Sequence, residues 1–251
     1  MTRTIEMQVV SLAGVDPRMG DPRRISLLPG AVEGVETNYF VQGMTAPHSP
    51  IRNPRRGQVF LFTRGAGEVW MGGVAFAFAE VAAFVAPGDG SIVITATSTP
   101  LEYLEILIDL QEREVPLLLP RGPYFVRYSQ CEAYSEAIKS AKTVSRTIVP
   151  ANTIPRFCMG SVEAMGPDEV AAHSHPMLEQ LFLGLPENAC VVTADDAEAI
   201  LGERALLHIP LGSRHGVRVG GGRRMHYVWM DFFRNAEALA YIQEQHNPIK
   251  R

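Results

Sequence analysis

Two histidines and a glutamate lie close together in a largely apolar stretch, at positions His173, His175 and Glu179. On a β-strand, residues two apart point to the same face, so His173 and His175 can direct their imidazoles at one point. A turn at residues 176–177 that preserved this parity would bring Glu179 to the same side. The stretch therefore predicts a compact group of nitrogen and oxygen donors.

A further histidine, His215, follows a Pro210-Leu-Gly212 turn later in the chain. Three imidazoles and one carboxylate are donors that bind divalent transition metals such as Zn, Mn, Fe or Ni. The sequence therefore predicts one metal ion, with His173, His175, Glu179 and His215 as its ligands. The pattern indicates the ligands much better than it indicates the identity of the metal.

The composition is that of an ordinary globular protein, with 46% hydrophobic and 20% charged residues among 251. A net charge of −4 provides no general electrostatic reason to bind nucleic acid or an anionic membrane. The three cysteines have no Cys-x-x-Cys spacing, which argues against a disulfide framework, and no signal peptide or membrane-spanning run is visible. We therefore expect a cytoplasmic protein whose partner is a small-molecule substrate.

Most of the chain shows the alternation and turn signals of β-strands, so we predict an all-β fold. Short helices are expected at residues 129–140 and 236–245, where the spacing of apolar residues is helical. The expected division, in chain order, is a loosely structured arm (1–35), a first barrel (36–112), a connector broken by prolines (113–150) and a second barrel (151–251).

The two β-regions carry matching fragments, which predicts a duplicated barrel. Residues 58–65 match 179–184, and residues 84–90 match 207–213. In the first copy, the positions of the metal ligands fall on side chains that do not form a transition-metal site, namely Arg52, Pro54, Gln58 and Ile92. We therefore predict that the first barrel is metal-free and serves as a structural partner, a lid or a dimerisation surface in a homodimer or higher homo-oligomer.

The motifs of the second region resemble those of the cupin superfamily. The first cupin motif, G-x(5–6)-H-x-H-x(3–4)-E-x(4–6)-G, is matched by Gly166, His173, His175, Glu179 and Gly184. The second motif, G-x(5–7)-P-x-G-x(2)-H, is matched by Gly202, Pro210, Gly212 and His215. The resemblance implies two tandem cupin barrels, each a double-stranded β-helix or jelly roll, with the metal in the second.

Within the cupins, the second region is similar to the sugar-acid ketol-isomerases, in particular 5-keto-4-deoxyuronate isomerase. The similar pieces are Met159-Gly-Ser-Val-Glu163, the His-Ser-His-x-x-x-Glu motif, Leu185-Pro-Glu187, Arg214-His215-Gly216 and His226-Tyr-Val-Trp-Met230. This similarity implies isomerisation of a small polar keto or sugar acid through a metal-stabilised enediolate.

Ketol isomerisation also needs a base that moves a proton between adjacent carbons, for which the candidates are Glu163, Tyr227, His226 and Asp231. Alternation along the last strand places Met225, Tyr227, Trp229 and Asp231 on one face. We expect this face to line the pocket, and we predict Tyr227 and Glu163 as catalytic residues.

Four residues are predicted to contact the substrate. Arg214 lies beside a metal ligand, and a guanidinium binds a carboxylate through two hydrogen bonds; a surface position on the turn is the alternative for this residue. The others are apolar or aromatic residues expected in the pocket wall: Phe157, Met177 and Trp229.

Two other functions stay open at this stage. An iron-dependent cupin dioxygenase would consume oxygen and have a more apolar pocket. A non-enzymatic cupin would only bind or sense a small molecule. The isomerase is distinguished by activity without oxygen and by a pocket with a cationic end.

Overall fold

The computed structural model describes residues 6–12, 22–88, 90–118, 122–136, 138–235, 237–240 and 249–250. The chain divides into two compact units. The N-terminal unit comprises residues 14–131 and 153–155, and the C-terminal unit comprises residues 1–13, 132–152 and 156–251. Both consist almost entirely of β-strands, so the prediction of an all-β fold is confirmed.

Strand β1 (Gln8–Ser11) belongs to the C-terminal unit. The strands of the N-terminal unit are, in chain order, β2 (Arg23–Leu27), β3 (Val35–Gln42), β4 (Arg56–Arg64), β5 (Gly67–Met71), β6 (Val74–Phe78), β7 (Ala82–Ala86), β8 (Ile92–Ala96), β9 (Leu101–Asp109) and β10 (Tyr124–Arg127). They form a six-stranded sheet in the order β10-β7-β4-β9-β3-β2 and a three-stranded sheet in the order β6-β5-β8. A helical turn, α1 (Val115–Leu118), precedes β10.

Aromatic side chains from both sheets fill the interior of the N-terminal unit. The buried rings are Phe40, Phe60, Phe62, Phe78, Phe84 and Tyr103. Burying a side chain of this size contributes about 1.5–3 kcal/mol. His48 belongs to the same interior, because its ring lies 4.4 Å from that of Phe40 and its Nδ1 lies 2.6 Å from Tyr103 Oη.

The remaining strands belong to the C-terminal unit, apart from the last two residues of β12. They are β11 (Ala133–Ser135), β12 (Val144–Ile154), β13 (Phe157–Met165), β14 (Asp168–Ser174), β15 (Leu178–Gly184), β16 (Ala189–Ala194), β17 (Ala197–Gly202), β18 (Ala205–Ile209), β19 (Arg214–Val219), β20 (Arg224–Phe233) and β21 (Ile249–Lys250). An eight-stranded sheet has the order β1-β18-β15-β20-β13-β12-β11-β21, and a four-stranded sheet has the order β14-β19-β16-β17.

The core of the C-terminal unit contains residues of both sheets. Phe182 on β15 and Tyr227 on β20 come from the larger sheet, and Val192 and Val217 come from the smaller one. The alternation seen in the sequence explains this, because every second residue of β15 and β20 is directed to the same face. The two sheets thus enclose the space in which the histidines lie.

Two local predictions need correction. The described part of the predicted arm is not loose, because β1 pairs with β18 and β2 pairs with β3. The predicted helix at 129–140 is wrong: a 3-10 turn (Tyr128–Gln130) is followed by β11, which pairs with β12 and β21. Backbone hydrogen bonds to two neighbouring strands outweigh the weak helical preference of so short a segment.

The C-terminal end is described only in part. Residues 237–240 are helical, and Asn235 Oδ1 caps this turn by accepting a hydrogen bond from the backbone N–H of Ala238 at 2.9 Å. The rest of the predicted helix over 236–245 lies outside the described residues. None of the described helices is long and apolar enough to span a bilayer.

Candidate metal centre and its cavity

His173 and His215 occupy directly opposed positions on the paired strands β14 and β19. Side chains opposite each other in an antiparallel pair share a face, so the two imidazoles meet. A β-bulge between Val170 and His173 shifts the register just before this pair. Gly216 permits the close approach of the two backbones here, since a Cβ at that position would lie 3.2 Å from Ala172 Cα.

His175 completes a group of three imidazoles. It follows β14 by one residue, and its ring centroid lies 4.7 Å from that of His173 and 5.3 Å from that of His215. The ligand nitrogens of the three residues all lie within 4.8 Å of one another. In the part of the chain that the structure describes, no other group of three such side chains is so close.

Backbone carbonyls orient two of these rings. His173 Nδ1 lies 2.8 Å from the carbonyl oxygen of Ala171, and His215 Nδ1 lies 3.2 Å from that of Ser213. A carbonyl oxygen only accepts, so Nδ1 carries the proton in each ring and Nε2 carries the lone pair. This arrangement is typical of metal-binding histidines.

The sequence predicted Glu179 as the fourth ligand, but the structure does not place it in the group of three imidazoles. Its Oε1 lies 3.9 Å from His208 Nε2, and its Oε2 lies 3.5 Å from Arg234 Nη2. The next residue on β15, Gln180, lines the cavity, so Glu179 is directed to the opposite face of the sheet. Glu179 does not face the same side as the histidines, because the turn at residues 176–177 interrupts the alternation of side chains along the strand.

Gln180, and not Glu179, lines the cavity together with the three histidines. Its side chain is buried, and Nε2 donates a hydrogen bond to Asp231 Oδ1 at 2.7 Å. Its Oε1 is buried without a hydrogen-bond partner among the described residues. A buried unpaired acceptor costs about 1–3 kcal/mol, and a metal ion would satisfy it. The three imidazoles and this amide oxygen line one cavity, and donors of these types suit a divalent transition metal.

The imidazoles open on a cavity of about 310 Å³ within the C-terminal unit. Its wall contains apolar residues of both sheets, together with a smaller set of groups able to hydrogen bond. Apart from the histidines and Gln180, this set consists of Tyr134, Glu136, Lys139, Thr147, Cys158, Tyr227, Trp229 and Asp231.

The connector supplies a charged part of this wall. Lys139 Nζ lies 2.7 Å from Glu136 Oε2 and donates a hydrogen bond to Ser145 Oγ at 2.8 Å. The side chain of Lys139 is only 7% exposed. Burial lowers the pKa of Lys139, and the Glu136 carboxylate opposes this shift. Nothing in the sequence singled out this pair, because the contacts that define it are distant along the chain.

Tyr227, Trp229 and Asp231 all line the cavity, on the face of β20 that the sequence favoured. Burial raises the pKa of Tyr227 well above its usual value, so its phenol stays protonated. Gly160, opposite Trp229 on β13, makes room for the indole, because a Cβ at residue 160 would overlap it.

Two residues predicted to act in the pocket lie on other faces of their strands. Glu163 follows Val162, which lines the cavity, and so it points away and pairs with Arg224. Arg214 is exposed and lies opposite Ser174, next to the pair that carries the imidazoles. The alternation of side chains along a strand excludes both from the cavity.

The two predicted apolar contacts are not in the cavity wall either. Phe157 lies opposite Phe232, and the two rings pack 5.2 Å apart on the other face of the sheet. Met177 packs against the cluster that contains Cys158 and Phe233, both of which line the cavity. The sequence placed these residues near the site but did not indicate which side of the sheet they occupy.

In the N-terminal unit, two of the four equivalent positions, Arg52 and Gln58, are hydrogen-bonded to each other. The guanidinium of Arg52 donates to Gln58 Oε1 and to the carbonyl oxygen of Pro87, and Gln58 Nε2 donates to Glu105 Oε1 at 2.6 Å. Ile92 is part of the aromatic core, and Pro54 lies in a turn. That this unit is metal-free stays a prediction.

No family model matches this chain, and the comparison with curated proteins found no match. Solved structures do match. A cupin 2 conserved barrel domain protein from Leptotrichia buccalis superposes with a TM-score of 0.61 at 12% identity, covering 90% of this chain and 96% of that one. The fold is that of a bicupin.

Two further structures share this bicupin fold. An IolB-like protein from Salmonella typhimurium LT2 has a TM-score of 0.67 at 13% identity and covers 84% of this chain and 88% of its own. Oxalate decarboxylase from Lactobacillus farciminis, in a formate complex, has a TM-score of 0.67 at 10% identity and covers 92% and 87%. At such low identity the likeness shows the fold alone, so the function rests on the residues of the cavity.

Proposed function

We propose that this bicupin is a metal-dependent enzyme that isomerises a small keto or sugar acid by proton transfer in the C-terminal cavity. The observation that carries the proposal is the cavity wall, which combines three converging imidazoles with a buried Lys139–Glu136 ion pair. The isomerase hypothesis predicts a pocket with a cationic end. Lys139 provides it, in place of the predicted Arg214.

The donor set suits a Lewis-acid role. A divalent ion bound by His173, His175, His215 and Gln180 would polarise a carbonyl–hydroxyl pair of the substrate. All four donors are neutral, so they leave the positive charge of the ion undiminished. The Glu-containing ligand set predicted from the sequence would have cancelled part of it.

Asp231 is the proton acceptor in this proposal. Its carboxylate lines the cavity with 6% exposure and is held in place by the amide of Gln180. A carboxylate held in a site of this kind is suited to remove a proton from carbon. Tyr227, which burial keeps protonated, can donate its O–H to a substrate oxygen. Glu163 has no part, because it lies outside the cavity.

A small acid is also consistent with the bicupin fold, since one of the structures that share it is an oxalate decarboxylase. Fold likeness alone does not carry the activity of that protein to this chain. The substrate class proposed here therefore depends on the cavity wall and not on the neighbour.

The test begins with elemental analysis of the purified protein and reconstitution with Zn, Mn, Fe or Ni. The metal-loaded protein is then incubated without oxygen in D₂O with a panel of keto and sugar acids, and NMR follows deuterium entry beside the carbonyl. We expect exchange with the wild type, loss of exchange with Asp231→Asn at unchanged metal content, and full exchange with the control Glu163→Gln.

Two outcomes would contradict the proposal. Oxygen uptake without deuterium exchange would indicate a dioxygenase. A protein that purifies without metal and gains no thermal stability from any of the four ions would have no metal centre, and a binding role without catalysis would then be the better reading.

A further inference from the structure

The segment that joins the two β-regions forms part of the catalytic cavity. Lys139 makes a backbone bridge to Val170 on β14, the strand that carries His173. Ser140 Oγ and Thr143 Oγ1 both donate hydrogen bonds to Asp168 Oδ2, at 2.7 and 3.0 Å, at the start of the same strand. The strand that positions an imidazole therefore also positions Lys139.

The ammonium of Lys139 has a donor to spare. It carries three N–H groups; Ser145 Oγ accepts one of them, and the Glu136 carboxylate is the ion-pair partner at 2.7 Å. Lys139 lines the cavity and its side chain is almost fully buried, so water from outside has little access to the third. A buried donor that lacks an acceptor costs about 1–3 kcal/mol, which favours an acceptor supplied by a ligand.

The charges of the cavity favour an anion with a single negative charge. Among the residues of the wall that the structure describes, Lys139 is the one lysine or arginine, and Glu136 and Asp231 are the carboxylates. These three side chains together carry one net negative charge, and the imidazoles and Gln180 add none. A bound divalent ion would therefore leave one net positive charge, which a monoanionic ligand neutralises.

We propose that Lys139 binds the carboxylate of the substrate, with its ammonium held in place by Glu136 and Ser145. The inference rests on the proposed function and adds to it the residue that recognises the acid group. The reacting carbonyl then lies at the imidazole end, and the carboxylate at the connector end. Lys139 is a binding residue in this scheme, and Asp231 is the residue that moves the proton.

Calorimetric titration of the metal-loaded protein tests this assignment with two probes of equal carbon number. D-gluconate carries a carboxylate, and sorbitol has a neutral hydroxymethyl group in its place. We expect Lys139→Met to weaken gluconate binding by about 10- to 100-fold, as for a lost hydrogen bond to a charged group, and to leave sorbitol binding unchanged.

Three controls accompany the measurement. Lys142→Met removes an exposed lysine of the same connector and should change neither affinity. The variant Lys139→Met/Glu136→Gln removes both charges, because Lys139→Met alone leaves a buried carboxylate without its cation. Thermal melting and metal content show whether each variant keeps its fold and its ion.

Each contrary result has a separate meaning. If Lys139→Met leaves the preference for gluconate over sorbitol unchanged, Lys139 does not bind the carboxylate, while the proposed isomerase function stands. If the wild type binds no gluconate or other sugar or keto acid, the proposed function and this inference both fail. A covalent adduct trapped by borohydride between Lys139 and pyruvate would make the amine a nucleophile and would overturn its role in ion pairing.

Discussion

Gln180 Nε2 donates a hydrogen bond to Asp231 Oδ1 across the strand pair β15–β20, at 2.7 Å. A carboxylate accepts hydrogen bonds, so the amide nitrogen must face Asp231, and this sets the direction of the amide oxygen. That oxygen is the buried acceptor proposed to complete the metal site. One hydrogen bond thus couples the proposed base to the proposed fourth ligand.

The neighbours Glu179 and Gln180 allow a direct test of the ligand set. We expect Gln180→Leu to weaken metal binding by about tenfold or more, because it removes an oxygen donor and leaves the imidazoles. Glu179→Gln is the matched control and should leave metal affinity unchanged, since Glu179 is directed to the other face of β15. Competition with a chromogenic chelator measures both; the reverse order of effects would restore Glu179 as the ligand.

Metal removal should lower the stability of the C-terminal unit. An ion that binds only the folded state contributes about 2.7 kcal/mol when its free concentration is a hundred times its Kd. We expect chelator to lower the melting temperature of the wild type and to have no such effect on His175→Ala, which lacks one imidazole of the group. If the wild type and this variant lost the same stability, the three histidines would not be the binding site.

Gly160 is expected to control the position of Trp229. A methyl group at residue 160 would overlap the indole and the carbonyl oxygen of Arg146. Gly160→Ala should therefore cost about 1–3 kcal/mol in the free energy of unfolding and change the fluorescence of Trp229. Gly202→Ala serves as the control, because a Cβ there meets nothing within 4 Å. Urea unfolding followed by fluorescence compares the two variants.

His208 should make the protein less stable in acid. It is fully buried, and burial lowers its pKa from 6.5 to about 4. The unfolded chain then binds more protons between these values, so stability is highest above pH 6.5 and is lost as the pH falls towards 4. The shift corresponds to roughly 3 kcal/mol.

The substitution His208→Leu tests the source of this pH dependence. It removes the titrating group and two ring nitrogens that have no hydrogen-bond partner among the described residues. We expect a flatter dependence of the unfolding free energy between pH 6.5 and 4, with little loss at pH 7. Denaturant titrations at several pH values provide the measurement, and an unchanged slope would place the acid sensitivity elsewhere.

Local patterns in the sequence predicted much of the fold. Alternation in β15 and β20, turn signals and repeated fragments predicted an all-β chain, because the period of side chains along a strand is a property of the backbone. The same alternation reduced the last strand to two choices, of which the face with Tyr227 and Asp231 lines the cavity. Motif spacing predicted the meeting of His173, His175 and His215.

Local patterns could not predict Gln180 as the proposed fourth ligand or Lys139 as the cationic residue of the cavity wall. Parity holds only within an unbroken strand, and the turn at residues 176–177 moved the cavity position from Glu179 to Gln180. Gln58 of the first β-region could have indicated this position. The repeats were aligned with Gln58 on Glu179, and a shift of one residue places it on Gln180. Lys139 carried no local signal, because its place depends on pairing between distant strands.

The two hydroxyl contacts of Asp168 have a consequence for protein engineering. They fasten the connector at the beginning of β14, well before the imidazoles at its other end. Variants at Glu136 and Lys139 can therefore be made with both anchoring hydroxyls, Ser140 and Thr143, kept in place. Under the role proposed for Lys139, such variants would change which acid is bound and would keep the three imidazoles.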